Sequence, residues 1–170
     1  SKATLDLYGI TSNTTTGFGW QCLVARRLAE RGVRFLELID VGSSNNWDSH
    51  GNMADHEKLA KAIDKPIAGL LTDLKNRGML ERTLVVWTTE FGRTPFNKDA
   101  NHPGREHHKH CFSSWIAGGG VRGGLTLPQV GAPKARVGGG VRGGVLCTRV
   151  RVKLIKRIEI HRTWTNSSPL

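Results

Sequence analysis

The chain has no run of about 18 apolar residues, so no membrane-spanning helix is encoded. Its first residues, Ser1-Lys2-Ala3-Thr4-Leu5-Asp6, lack the apolar centre of a signal peptide. They also lack an initiating Met, which reads as a fragment whose upstream part is missing. Cysteine is scarce. Cys22, Cys111 and Cys147 are odd in number and far apart, which excludes a disulfide framework and a CxxC zinc site. Acidic residues nearly vanish towards the end. Residues 1–128 carry 16 Lys/Arg against 13 Asp/Glu, whereas residues 129–170 carry nine Lys/Arg against Glu159 alone. The basic pI of about 10.2 therefore belongs mostly to the tail.

What is present suffices for one domain: 170 residues, 38% hydrophobic, with 21 glycines. The spacing of Phe18, Cys22, Ala25 and Leu28 or Ala29 predicts a helix over 17–31, closed by Gly32. Val33 to Ile39 follows as a strand with apolar residues on both faces, which suits a buried strand. Leu59, Ile63, Ile67, Leu70 or Leu71, and Leu74 predict a long helix within 53–77, with Asn52 at its start and Gly78 at its end. Pro66 lies inside that pattern and predicts a kink or break near Asp64. Leu84 to Thr88 and Phe112 to Ala117 are two further strands. Helix and strand in alternation predict an α/β layered fold with a largely parallel sheet, in which ligands gather beyond the carboxyl ends of the strands.

The segment Gly118-Gly119-Gly120-Val121-Arg122-Gly123-Gly124 returns letter for letter at 138–144. It formally matches GxGxxG, but Leu125-Thr126-Leu127-Pro128 does not open a helix and no Walker lysine follows, so a nucleotide site is not expected. Two segments result: 1–128, an α/β unit, and 129–170, a Gly-rich repeat and basic tail that reads as irregular, disordered or shifted in reading frame. Alternating β-branched and basic residues over 145–160 suit either an edge strand with one charged face or a disordered tail.

Three polar clusters carry the chemistry. Trp47-Asp48-Ser49-His50-Gly51-Asn52 follows the first strand, and Thr89-Glu90-Phe91-Gly92-Arg93-Thr94-Pro95 follows the second. Gly104-Arg105-Glu106-His107-His108 precedes the third, so it reaches the same sheet edge only if that strand runs antiparallel. Asp48 and His50 are two residues apart, which on extended backbone points both one way, towards one divalent cation. The plainer reading is a turn-capping Asp and a solvated His. Glu90 is either a ligand or an exposed loop carboxylate. Arg93 offers a planar fork for oxyanions, or an ordinary ion pair. Among His102, His107, His108 and His110, one or two are candidate ligands, with Glu106 a candidate acceptor for a free ring nitrogen. His56 and Asp55 read as first-turn helix residues, and Trp47, Trp87 and Trp115 as packing residues.

In their order and spacing these clusters match more of the chain. Ala25-Arg26-Arg27-Leu28, Glu30-Arg31-Gly32-Val33-Arg34-Phe35, Leu70-Leu71-Thr72-Asp73-Leu74 and Ala117-Gly118-Gly119-Gly120 belong to the same pattern. Residues 18–124 together resemble the bacterial sulfatase-like domain-of-unknown-function 1501 family, of the alkaline phosphatase and sulfatase superfamily. The resemblance implies a doubly wound, largely parallel sheet with helices on both faces and a metal site at one edge. It implies hydrolysis of phosphate or sulfate monoesters, with zinc or calcium as candidate cofactors and a small anionic ester as substrate. It would place Asp48, His50 and one of His107 and His108 on one ion and Glu90 on a neighbouring ion. Arg93 and Arg105 would steady the substrate oxyanion or the ligands. It also implies that an amino-terminal part completing the site is absent here, so the chain alone is an incomplete catalyst, and that the parent protein belongs to the bacterial cell envelope. The competing expectations are non-specific polyanion or nucleic-acid contact through residues 129–170 and a catalytically silent product.

Overall fold

A computed structural model describes residues 1–40, 47–95, 97, 101, 103–110, 112–124 and 150–156. The second copy of the glycine heptapeptide, His102, Cys111, Cys147 and the remainder of the 129–170 tail lie outside the described residues.

Helix α1 (Lys2–Leu7) is capped by Ser1, whose Oγ accepts from the Thr4 amide. Helix α2 (Gly17–Glu30) ends before Gly32, which takes φ +99°. Strand β1 (Phe35–Asp40) leads to helix α3 (Asp55–Asn76), with Asp55 and Glu57 in the first turn, where the helix dipole favours them. A short 3₁₀ turn (Leu80–Arg82) precedes strand β2 (Thr83–Thr89). A small ladder pairs β3 (Gly92–Arg93) with β4 (His107–His108), and β5 (Trp115–Gly118) and β6 (Val150–Lys156) complete the sheet.

The predicted break at Pro66 is not found: α3 runs unbroken across it. Pro66 is buried, and Gly19 of α2 presents no side chain towards its ring, the Tyr8 carbonyl or Ile10. One lost backbone bond is thereby offset by packing.

The main sheet has the order β1-β6-β2-β5, and every hydrogen-bonded pair in it is antiparallel. This corrects the doubly wound parallel expectation. The strand read as an edge or a tail, β6, is inserted between β1 and β2. Because β1 and β2 each oppose β6, they run in the same direction, and β5 opposes β2. The loops leaving β1 and β2 and the segment entering β5 therefore share one sheet edge, as the antiparallel condition for the third cluster required.

Helices on both faces are also not found among the described residues. Directly opposed residues share a face, so Leu38, Val152, Leu154 and Val85 lie together. They form one core with Cys22, Leu23, Ala25 and Ala29 of α2 and Leu70 and Leu74 of α3. Full burial of a leucine such as Leu23, Leu70 or Leu74 contributes about 1.5–3 kcal/mol each. The opposite face carries Phe35, Ile155 and Ile116, all exposed, and the Lys153–Glu37 ion pair at 3.6 Å. No described helix is long and apolar enough to cross a membrane.

Between the helices and the start of β2 sits a buried ionic knot. The Tyr8 hydroxyl donates to Asp73 Oδ2 at 3.0 Å and Arg77 Nε donates to Asp73 Oδ1 at 2.7 Å. Arg26 Nε lies 2.8 Å from Asp73 Oδ2, but off its N–H axis, so that contact is an ion pair and not a hydrogen bond. Cys22 belongs to the adjoining core. Burial first, and then the charge of Asp40, push its thiol up to about 12.

Candidate metal centre

The first cluster is anchored from below. Asp40, the last residue of β1, accepts from Trp47 Nε1 at 2.7 Å through Oδ2. Trp47 is buried, and its carbonyl accepts from His56 Nε2 at 2.8 Å and from Arg93 Nη2 at 3.1 Å. Ser49 Oγ donates to Asp55 Oδ2 at 2.9 Å, and Asn52 Oδ1 accepts from the Ala54 amide at 3.0 Å. Asn52 thus supports the start of α3 from two residues before Ala54, which occupies the cap position. These bonds fix the turn that presents Asp48 and His50.

The second and third clusters are joined to each other. Arg93 is directly opposed to His107 and Gly92 to His108. The ladder continues with the Thr94 amide donating to the Glu106 carbonyl at 2.8 Å. Opposed residues project to the same side and successive residues to opposite sides. Arg93 and His107 therefore reach Asp48 together, and His108 turns away, with its ring 6.2 Å from that of His110. The third cluster also meets the first: Gly104 packs against the His50 carbonyl, and just beyond both clusters the Met53 amide donates to the Pro103 carbonyl at 3.3 Å.

Three donor atoms converge. Asp48 Oδ1 is 2.7 Å from His107 Nε2 and 3.0 Å from His50 Nε2, and one ligand atom from each residue lies within 4.8 Å of the others. The same oxygen accepts from Arg93 Nη2 at 3.0 Å. Glu106 Oε2 lies 3.3 Å from His50 Nδ1, where it can orient the ring. Burial works to raise the Asp48 carboxyl, but the hydrogen bond from His107 and the charges of His107, His50 and Arg93 outweigh it. The group is held below the ordinary carboxylate range.

One carboxylate and two imidazoles suit zinc. Ligands about 2.0–2.2 Å from a tetrahedral ion sit roughly 3.4 Å apart, wider than the 2.7 and 3.0 Å from Asp48 Oδ1 to the two imidazoles, so the side chains would have to separate to admit one. Asp48 and His50 also line an open hollow of about 420 Å³, with Ser49, Gly51, Asn52 and Asp55.

Of the residues read from sequence, Asp48, His50 and His107 are brought together. His108 stands on the other side of its ladder. Glu90 is exposed after β2 and lies outside the three-residue group. Arg93 is enclosed, with its side chain 1% exposed. Arg105 contributes its backbone carbonyl, which accepts from Arg93 Nη1 at 2.7 Å. Sequence reasoning missed the support given by Asp40 and by the buried His56. The only local signal was a carboxylate ending a strand and a histidine opening a helix, and neither announces a contact seven or nine residues away.

No curated protein and no solved structure matches the chain. A family model does match, over residues 1–137, and it spans α1 to β5 and all three polar clusters; the chain belongs to the family described as protein of unknown function (DUF1501).

Proposed function

We propose that the Asp48–His50–His107 group is the cation-holding part of a site that hydrolyses phosphate or sulfate monoesters. The observation that carries this reading is the convergence of one carboxylate oxygen and two imidazole nitrogens, from two separate loops, at an open sheet edge. Asp48 supplies a carboxylate that its neighbours keep ionised. Glu106, whose carboxylate lies 3.3 Å from His50 Nδ1, supplies a second negative charge beside that ring, and a cation bound by Nε2 would replace its contact with Asp48. A divalent cation bound there supplies Lewis-acid polarisation of the ester oxygen. Arg105, half-buried and two residues before His107, is the arginine proposed to offer a positive charge to the anionic ester. No nucleophile is assigned among the described residues, so the role proposed for this group is to hold the cation, with weak catalysis at most.

The test is a zinc and calcium titration of the chain followed by thermal melting. A ligand that binds only the folded state at 100 times its dissociation constant adds about 2.7 kcal/mol. The expected result is a melting gain with at least one of the two ions, abolished by Asp48→Ala and by His50→Ala. Equal gains in the variants, or none in the parent chain, would sink the reading. A parallel assay with aryl phosphate and aryl sulfate should show turnover that is low, removed by chelator, and absent from the same variants.

A further inference from the structure

Arg93 is the only guanidinium described at this site that is almost wholly enclosed, and both of its Nη atoms donate to protein atoms. Nη2 reaches both the Trp47 carbonyl and Asp48 Oδ1, and Nη1 reaches the Arg105 carbonyl. Its own backbone lies in β3, opposite His107. One planar group thus touches the backbone of the first loop, a carboxylate ligand of that loop and the backbone of the third loop two residues before a histidine ligand. Nε makes no hydrogen bond, so the polar contacts of the group are those of its two Nη atoms.

We propose that Arg93 is a positioning residue whose fork gathers the three loops into one ligand set, and that it does not touch the substrate. The proposal rests on the metal-centre reading above. Its enclosure decides against direct substrate contact, because an incoming oxyanion would have to replace the Asp48 and backbone contacts. Electrostatics alone gives the opposite expectation for binding. A guanidinium beside the site repels a cation, so its removal should tighten binding. If geometry dominates, removal weakens binding instead. Lysine separates the two effects further, since it keeps the charge but has a single nitrogen and cannot span Trp47 and Arg105 at once.

The experiment is a cobalt(II) titration of the full chain, read by visible absorption, for the parent protein, Arg93→Ala and Arg93→Lys. Far-UV circular dichroism of the metal-free proteins is recorded alongside. Both variants are expected to keep the parent dichroism and to lose about 10–100-fold in cobalt affinity, with an altered absorption band. A folded Arg93→Ala protein that binds cobalt as tightly as the parent, or more tightly, with the same band overturns the proposal. A variant-free measurement covers the case in which neither variant folds: hydrogen exchange at the Arg93 Nη protons of the parent chain. Protection well beyond that of an exposed arginine supports the gathering role, and exchange at the exposed rate overturns it. A parent protein with protected Nη protons but no cobalt band removes the metal reading while leaving that gathering role in place.

Discussion

Gly104 packs against the carbonyl of His50 so closely that a β-carbon there would collide with it. The atoms it would strike are backbone atoms of His50 and Gly51, and a β-carbon is fixed by its own backbone, so no side-chain rotation relieves the overlap. Gly104 does not need a left-handed φ. Its requirement is space, where the third cluster crosses the first.

Gly104→Ala should therefore push apart the loops that carry His50 and His107 while leaving the helical core in place. Overpacking of this kind costs about 1–3 kcal/mol. Urea unfolding should show that loss, and any zinc- or calcium-induced melting gain should fall towards zero. Retention of the full gain by the alanine variant would mean the two loops do not need this contact.

Local pattern and nonlocal pairing contributed differently to what could be read in advance. The apolar repeats of α2 and α3 were legible because a helix face is set by residues three and four apart. Gly32 and Gly78 closed both helices with positive φ, as their positions suggested. The sheet was misread at β6. Val152 and Leu154 alternate with Lys153 and Ile155, a pattern that suits an edge strand. It equally suits a central strand with one face on the core and the other open, and strand order leaves no local mark. Pro66 misled because a backbone rule was applied without the packing that surrounds its ring.

At the site, residue types were legible and geometry was not. Asp48 and His50 shared a two-residue spacing, and imidazoles were dense around 107. The choice between His107 and His108 followed from the parity of a two-residue ladder whose partner lies in another cluster. Arg93 was read as a group for substrate or ligands, and only its enclosure tells the two apart.

Asp73 should control the acid limb of stability. Burial raises its carboxyl, but hydrogen bonds from Arg77 and Tyr8 and the charges of Arg26 and Arg77 hold it below the ordinary range. A carboxyl depressed on folding contributes stability that is complete above its unfolded value of about 3.9 and is lost as pH falls through the folded value. Asp73→Asn should be less stable at pH 7, by about 1.5–3 kcal/mol, because Tyr8, Arg77 and Arg26 lose their shared carboxylate and buried Arg26 keeps only the half-exposed Glu30 as counter-charge. Its stability should also fall less steeply than that of the parent below about pH 4. Urea titrations at pH 7 and across the acid range measure both effects. Parallel acid limbs for the two proteins would remove Asp73 from the account.

Thr83 opens β2 with its side chain turned into the core, 1% exposed, and its Oγ1 makes no hydrogen bond. A buried hydroxyl without a partner retains a desolvation cost of about 1–3 kcal/mol. Valine has nearly the same shape, carries no polar atom at that position and favours a strand. It would lie on the Val85 side of β2, with Met79, Glu30 and Arg77 lining the adjoining hollow. Thr83→Val is therefore expected to stabilise the chain by about 1 kcal/mol, or about 2–4 °C in melting temperature for a protein of this size. Any metal response should be unchanged, since Thr83 and the Asp48 loop lie at opposite ends of the sheet. Thr83→Ser supplies the contrast: it keeps the hydroxyl and loses a buried methyl, so it should destabilise. A valine variant less stable than the parent would show that the hydroxyl is satisfied in solution, by a water or by residues outside those described.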